Sequence, residues 1–113
     1  MPDIEGPYIV TLLENYPMLE KQIEAAVCDY AKSKGFLAYK FTSPNRAAVP
    51  DRLIILPSGH MFFIEFKAAG KKPTPAQERE HTRLRQQNVQ VYVVDSIDQG
   101  KDIINSMCAG LGL

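Results

Sequence analysis

Cysteine is scarce in this chain. Only Cys28 and Cys108 occur, far apart, with no Cys-x-x-Cys spacing and no histidine pair beside them. A zinc site is therefore not expected, and a reduced, cytoplasmic protein is the simpler reading. Long apolar runs are also missing. No stretch approaches the ~18 residues of a membrane span, which excludes a helical membrane protein. The first residues, Met1-Pro2-Asp3-Ile4-Glu5, are acidic and hold no signal-type apolar segment. No internal repeat, low-complexity tract or long linker is present. Net charge is absent too, because thirteen Lys and Arg balance thirteen Asp and Glu.

That balance hides an uneven distribution. From Lys32 to Arg85 there are eleven Lys and Arg against four acids, a net +7, and the flanks carry −7. A basic middle of this kind can meet a polyanion. Ordinary surface charge explains the same count, since a block in sequence need not form a patch in space. The length of 113 residues and an apolar content of 45% fit one domain with one modest core. Self-association is a natural source of extra stability for so small a core.

The expected organisation is a lead-in over residues 1–16 and a single domain over 17–113. Within the lead-in, Ile9, Leu12, Leu13 and Tyr16 recur at helical spacing, which suits a short amphipathic helix and a candidate dimerisation segment. Pro17 fits the first turn of the next helix, which runs to about Lys34 with Ile23, Val27, Tyr30 and Ala31 as its apolar stripe. Gly35 stops it. Phe36 to Phe41 reads as a strand and Thr42 to Pro50 as a turn-rich loop. Leu53 to Leu56 is apolar on both alternating faces and reads as a strand covered on both sides. Pro57-Ser58-Gly59-His60 is a tight connection to a strand over Met61 to Lys67, making a hairpin. Thr74-Pro75-Ala76-Gln77 has the spacing of a capping box with proline at the first helical position, opening a helix to about Gln87. Val89 to Val94 is a fourth strand, and Ser96 caps a last helix ending near Cys108. The class is α/β, in the order α-β-β-β-α-β with a C-terminal helix.

Chemistry concentrates on the hairpin. The strand period of two puts Glu65 and Lys67 on one face and Phe62, Ile64 and Phe66 on the other. Asp51 begins one strand where Glu65 nearly ends its partner, so the two carboxylates approach each other. Two hard oxygen ligands can hold Mg²⁺ or Mn²⁺ and leave positions for water and phosphate. An ammonium beside them can orient the water or stabilise the charge of the transition state. Lys71 and Lys72 are placed to grip neighbouring phosphates. Taken alone, a Glu-x-Lys on a strand is more often a solvated face or a cross-strand ion pair. The upstream Asp51 moves the balance toward phosphodiester hydrolysis.

The run Val49-Pro50-Asp51-Arg52-Leu53-Ile54-Ile55-Leu56, then Phe63-Ile64-Glu65-Phe66-Lys67, then Pro75-Ala76-Gln77, resembles the VRR-NUC nucleases of the PD-(D/E)xK superfamily. Glu20-Lys21-Gln22-Ile23-Glu24 resembles that family's first-helix motif. The likeness covers roughly residues 18–98. One departure is Ala48, where family members usually carry glycine. The resemblance implies a restriction-endonuclease-like core with a mixed central sheet flanked by helices. It implies Mg²⁺- or Mn²⁺-dependent DNA cleavage, with Asp51, Glu65 and the backbone carbonyl of Phe66 as metal ligands. Lys67 would be the catalytic lysine, Gln77 would reach the site from the second helix, and Glu20 would be the first-helix acid. Small stand-alone members resemble phage nucleases that cut four-way (Holliday) junctions as homodimers. Branched DNA, a second copy and the cytoplasm of a bacterium or phage-infected host are the implied partners and setting. A nonspecific or flap-type nuclease and a non-catalytic DNA-binding module on the same fold are the alternatives.

On a helical wheel Glu20 lies beside the Ile23 and Val27 stripe, so it should face the sheet, with Glu24 as its alternate. Gln77 has a second explanation in the capping box. Lys40, Arg46, Lys71, Lys72, Arg79 and Arg83 are candidate DNA contacts, although each also reads as a solvated charge. His60 belongs to a turn and His81 to a polar helix face, so neither is assigned a role. Val91, Tyr92 and Val93 are expected in the sheet core.

Overall fold

The computed structural model describes residues 17–110. The lead-in, its amphipathic helix and its suggested dimerisation role lie outside the described residues. Seven elements follow in the expected order: α1 (Glu20–Ser33), β1 (Leu37–Lys40), β2 (Arg52–Ile55), β3 (Met61–Phe66), α2 (Pro75–Gln86), β4 (Val91–Val94) and α3 (Ile97–Cys108). Strand order across the sheet is β1-β2-β3-β4. The first two pairings are antiparallel and β3 with β4 is parallel, so the sheet is mixed.

Local chemistry sets most boundaries. Thr74 Oγ1 accepts from the Gln77 N–H and Gln77 Oε1 accepts from the Thr74 N–H, closing the capping box of α2 with Pro75 in its first turn. Ser96 Oγ accepts from the Gln99 N–H at the start of α3. Gly35 ends α1 with φ +84°, a conformation that side chains with Cβ disfavour. Pro17 does not enter the first turn of α1. The helix starts three residues later, where the Leu19 N–H donates to Gln22 Oε1.

Register fixes what each face of the sheet carries. Ala38 pairs with Ile54, Ile54 with Phe62, and Ile64 with Tyr92. With Phe66 and Val94 these residues form the face beneath α1 and α3. Ile23, Val27, Ala31, Ile54, Phe62, Ile64, Phe66, Val94 and Ile104 are all 0% exposed. Each large apolar side chain buried this way contributes on the order of 1.5–3 kcal/mol. A Cβ built on Gly100 of α3 would stand 2.4 Å from a Val27 methyl, so glycine sets how closely α3 approaches α1.

The opposite face is covered only in part. There Leu37 pairs with Ile55, Tyr39 with Leu53, and Ile55 with Met61. Leu37, Tyr39 and Met61 are exposed. Only Ile54 of β2 is buried, so the expectation that this strand is covered on both sides is corrected. α2 packs against β4 and leaves the β1 side open. Val91 and Val94 are the buried residues of β4, with Tyr92 and Val93 half-buried. Tyr92 still packs edge-on against Phe62 at 5.6 Å.

Candidate active site

Antiparallel pairing of Arg52 with Ile64, continued one step, sets Asp51 opposite Glu65. Asp51 Oδ2 accepts from the backbone N–H of Phe66 at 2.7 Å. The Asp51 carbonyl accepts from the Phe41 N–H at 2.9 Å, so β1 also anchors this position. Lys67 follows β3 on the Glu65 face, its Nζ 3.7 Å from Glu65 Oε2. From the first turn of α2, Gln77 Nε2 donates to the same Oε2 at 3.2 Å. Asp51, Glu65, Lys67 and Gln77 therefore meet at one end of the sheet. The capping role of Gln77 is real as well, since its Oε1 closes the helix start while its amide nitrogen reaches the acid.

Glu65 is 1% exposed, and its Oε1 has no hydrogen-bond partner. Burial first, then the charge and hydrogen bonding of Asp51, push its carboxyl up to about 8. Lys67 opposes that rise, and Glu20 adds the smallest share to it. Two carboxyls this close do not both ionise readily unless a cation joins them. The donor set therefore fits a hard divalent ion bound through oxygen. Among the described residues no three His, Cys, Asp or Glu side chains converge as a metal cluster. An ion held here would take its further ligands from backbone, water or phosphate, as Mg²⁺ and Mn²⁺ do.

Two sequence expectations are corrected. Glu20 is not covered as expected; it is exposed at the first residue of α1, although near enough to act on Glu65. The wheel argument needs a helical turn on both sides of a residue, and Glu20 has one on only one side. Its alternate, Glu24, is bound to Arg52 at 2.7 Å, and Arg52 also donates to the Ala38 carbonyl. The second correction concerns His81. It is 0% exposed, with Nε2 3.6 Å from Glu65 Oε1. The polarity of α2 concealed this, because the side chains it buries are Glu80 and His81 and not an apolar stripe. A signal did exist, as His81 falls one turn after Gln77 on the same side of the helix.

The candidate DNA contacts fall into separate groups. Arg46, Arg79 and Arg83 line one hollow with Asn45, Ala48 and Ala76, between the 42–50 loop and α2. Glu80 occupies part of their charge, holding Arg46 at 3.0 Å and approaching Arg83 at 3.8 Å. Lys71 and Lys72 line a different hollow with Glu78, His81 and Arg85. Their loop is tied down by the Gly70 N–H, which donates to Asp95 Oδ2 at 3.2 Å. Lys40 is exposed on β1, the edge strand. His60 is exposed and its Nε2 meets Gln90 Oε1 at 2.8 Å, away from the acids. No helix among the described residues is long and apolar enough to cross a membrane.

No family model matches the chain. Over 79 residues the chain is 51% identical to "Putative nuclease p44" of Acyrthosiphon pisum secondary endosymbiont phage 1, covering 70% of this chain and 85% of that protein. A solved structure described as "VRR_NUC domain" superposes with a TM-score of 0.69 at 32% identity, over 76% of this chain and 94% of its own. A second, described as "VRR_NUC domain protein", reaches 0.66 at 20% identity over 80% and 88%, a likeness of fold.

Proposed function

Because this chain belongs to the VRR-NUC family of nucleases as a small phage-type member, we propose that it is a metal-dependent DNA endonuclease that cuts branched DNA as a homodimer. The observation that carries the reading is the meeting of Asp51, Glu65 and Lys67 at one sheet end, where Glu65 Oε1 is buried and without a hydrogen-bond partner. In this reading Asp51, Glu65 and the Phe66 carbonyl hold Mg²⁺ or Mn²⁺, with Glu20 at the rim of the site. When bound, the ion supplies Lewis-acid chemistry that activates water and neutralises charge on the phosphate. Lys67 orients the attacking water or stabilises the same charge. Gln77 holds Oε2 of Glu65 and so limits the rotation of that carboxylate.

Arg46, Arg79 and Arg83 on one side, and Lys71 and Lys72 on the other, would hold DNA backbone on either side of the site. A two-fold pair of such sites suits two opposed cuts in a four-way junction. The test is a panel of labelled junction, flap and linear duplex DNA, with and without Mg²⁺ or Mn²⁺, using protein of measured size. Metal-dependent junction cutting by a dimer is expected, and Asp51→Ala, Glu65→Ala or Lys67→Ala should abolish it without unfolding the chain. Preferred cutting of flaps or plain duplex would replace the junction assignment. Tight metal-free binding without any cutting would favour a DNA-binding module. Normal cleavage by Lys67→Ala would remove that residue from the chemistry.

A further inference from the structure

His81 sits one turn beyond Gln77, so both side chains leave α2 toward β3. The ring is 0% exposed, yet neither of its nitrogens has a hydrogen-bond partner. Glu65 Oε1 is also buried and unpartnered. These orphaned groups face each other, with Nε2 3.6 Å from Oε1. The other oxygen, Oε2, already has Gln77 at 3.2 Å and Lys67 at 3.7 Å. Oε2 thus has one hydrogen-bond donor, Gln77, and an ammonium at ion-pair distance, while Oε1 has the buried ring beside it and Asp51 acts on the same carboxyl.

Leaving a buried polar group unpaired is costly, because it gives up its bonds to water and gains none in return. A side chain needed only to fill this space would be better apolar. A neutral ring keeps one N–H and has no need to change charge in order to donate it. The 3.6 Å separation exceeds hydrogen-bond distance by only about 0.5 Å.

We propose that His81 is a positioning residue whose Nε2–H donates to Oε1 of Glu65 and holds that carboxylate for the cation it shares with Asp51. The inference rests on the metal-centre reading above. It assigns His81 no direct bond to metal or substrate. Groups of this kind, standing behind a ligand, commonly change metal affinity by about 10–100-fold when removed.

The experiment measures Mn²⁺ binding to the whole chain without DNA, by calorimetry, for wild type, His81→Gln and His81→Leu. A glutamine amide can place an N–H near the position of imidazole Nε2, and leucine cannot. We expect His81→Gln to stay within about threefold of wild type and His81→Leu to bind about 10–100-fold more weakly. Thermal unfolding of each metal-free variant checks that it is folded before its affinity is read. Should His81→Leu fail to fold, His81→Phe replaces it, with the same loss of affinity expected. Undiminished Mn²⁺ binding by the folded apolar variant overturns the role of His81 and leaves the metal centre intact. A wild-type chain that takes up no Mn²⁺ removes the metal centre itself, and this proposal with it.

Discussion

On one face of the sheet, Phe62, Ile64 and Phe66 meet α1 and α3 with no side-chain surface left to water. On the other, the alternating residues of the same strand run from exposed Met61 through Phe63 to buried Glu65. The first face consists of side chains that gain by burial. The second ends in a carboxyl that loses by burial and is pushed up to about 8 as a result. One strand therefore serves as core on one side and as reactive centre on the other. The rigidity of the first lets the second hold an unfavourable group in place.

The contrast breaks most severely if the dry face is opened. Ile64→Ala removes a fully buried side chain between Phe62 and Phe66 and should cost about 2–5 kcal/mol, read by urea unfolding. Mn²⁺ binding by the folded fraction should survive, because Ile64 points away from the acids. A loss below about 1 kcal/mol would show that this face is not close-packed.

The opposite face should respond in the opposite sense. Glu65 titrates at about 8 in the folded chain against an ordinary value of 4.5. Between those limits the folded chain keeps a proton that the unfolded chain has released. Stability of the metal-free protein therefore falls as pH rises from about 4.5 to about 8 and levels off above that. Glu65→Gln should flatten the fall and leave the chain more stable than wild type above about pH 8, while Mn²⁺ binding is lost. Chelated protein followed by denaturant titration at several pH values checks this. Identical slopes for the two proteins would mean that Glu65 titrates normally.

The two faces also differed in how readily the sequence disclosed them. Alternation along Met61 to Lys67 separates the apolar set from Glu65 and Lys67 without any knowledge of the fold, because strand geometry is local. The capping box of α2 and the opposition of Asp51 to Glu65 follow from local rules as well. Tertiary choices stayed hidden. Leu53 to Leu56 has the pattern of a strand covered on both sides, yet α2 lies over the β4 side and leaves the β1 side bare. His81 looked like a solvated residue because apolar periodicity detects only apolar burial. Glu20 was misplaced by extending a helical face to the residue where the helix begins. The pairing of Arg46 with Glu80 spans the loop and α2, and no spacing rule links those positions.

A smaller loss should follow from narrowing the gap between the helices above the dry face. Gly100→Ala would drive a Cβ to within 2.4 Å of a Val27 methyl. Overpacking of this order costs about 1–3 kcal/mol. The double variant with Val27→Ala should recover part of that loss beyond the sum of the single changes, since the same two side chains collide. Strict additivity in unfolding experiments would mean that α3 simply moves away.

The smallest effect belongs to the loop that delivers Asp51 to the reactive face. Ala48 holds φ +68°, in the left-handed region that a side chain disfavours. The family resemblance leads one to expect glycine here, and the backbone adopts a conformation that glycine accepts freely. The left-handed conformation costs a non-glycine residue about 1–2 kcal/mol, while glycine brings back about 0.5–1 kcal/mol of chain entropy in the unfolded state. The difference favours Ala48→Gly by at most about 1.5 kcal/mol. Ala48→Val should destabilise by more than glycine gains, because a β-branched side chain fits that region worst. Reversal of that order in urea unfolding would place the constraint on Asp51 elsewhere, in the Phe41 and Phe66 backbone bonds that hold it from either side.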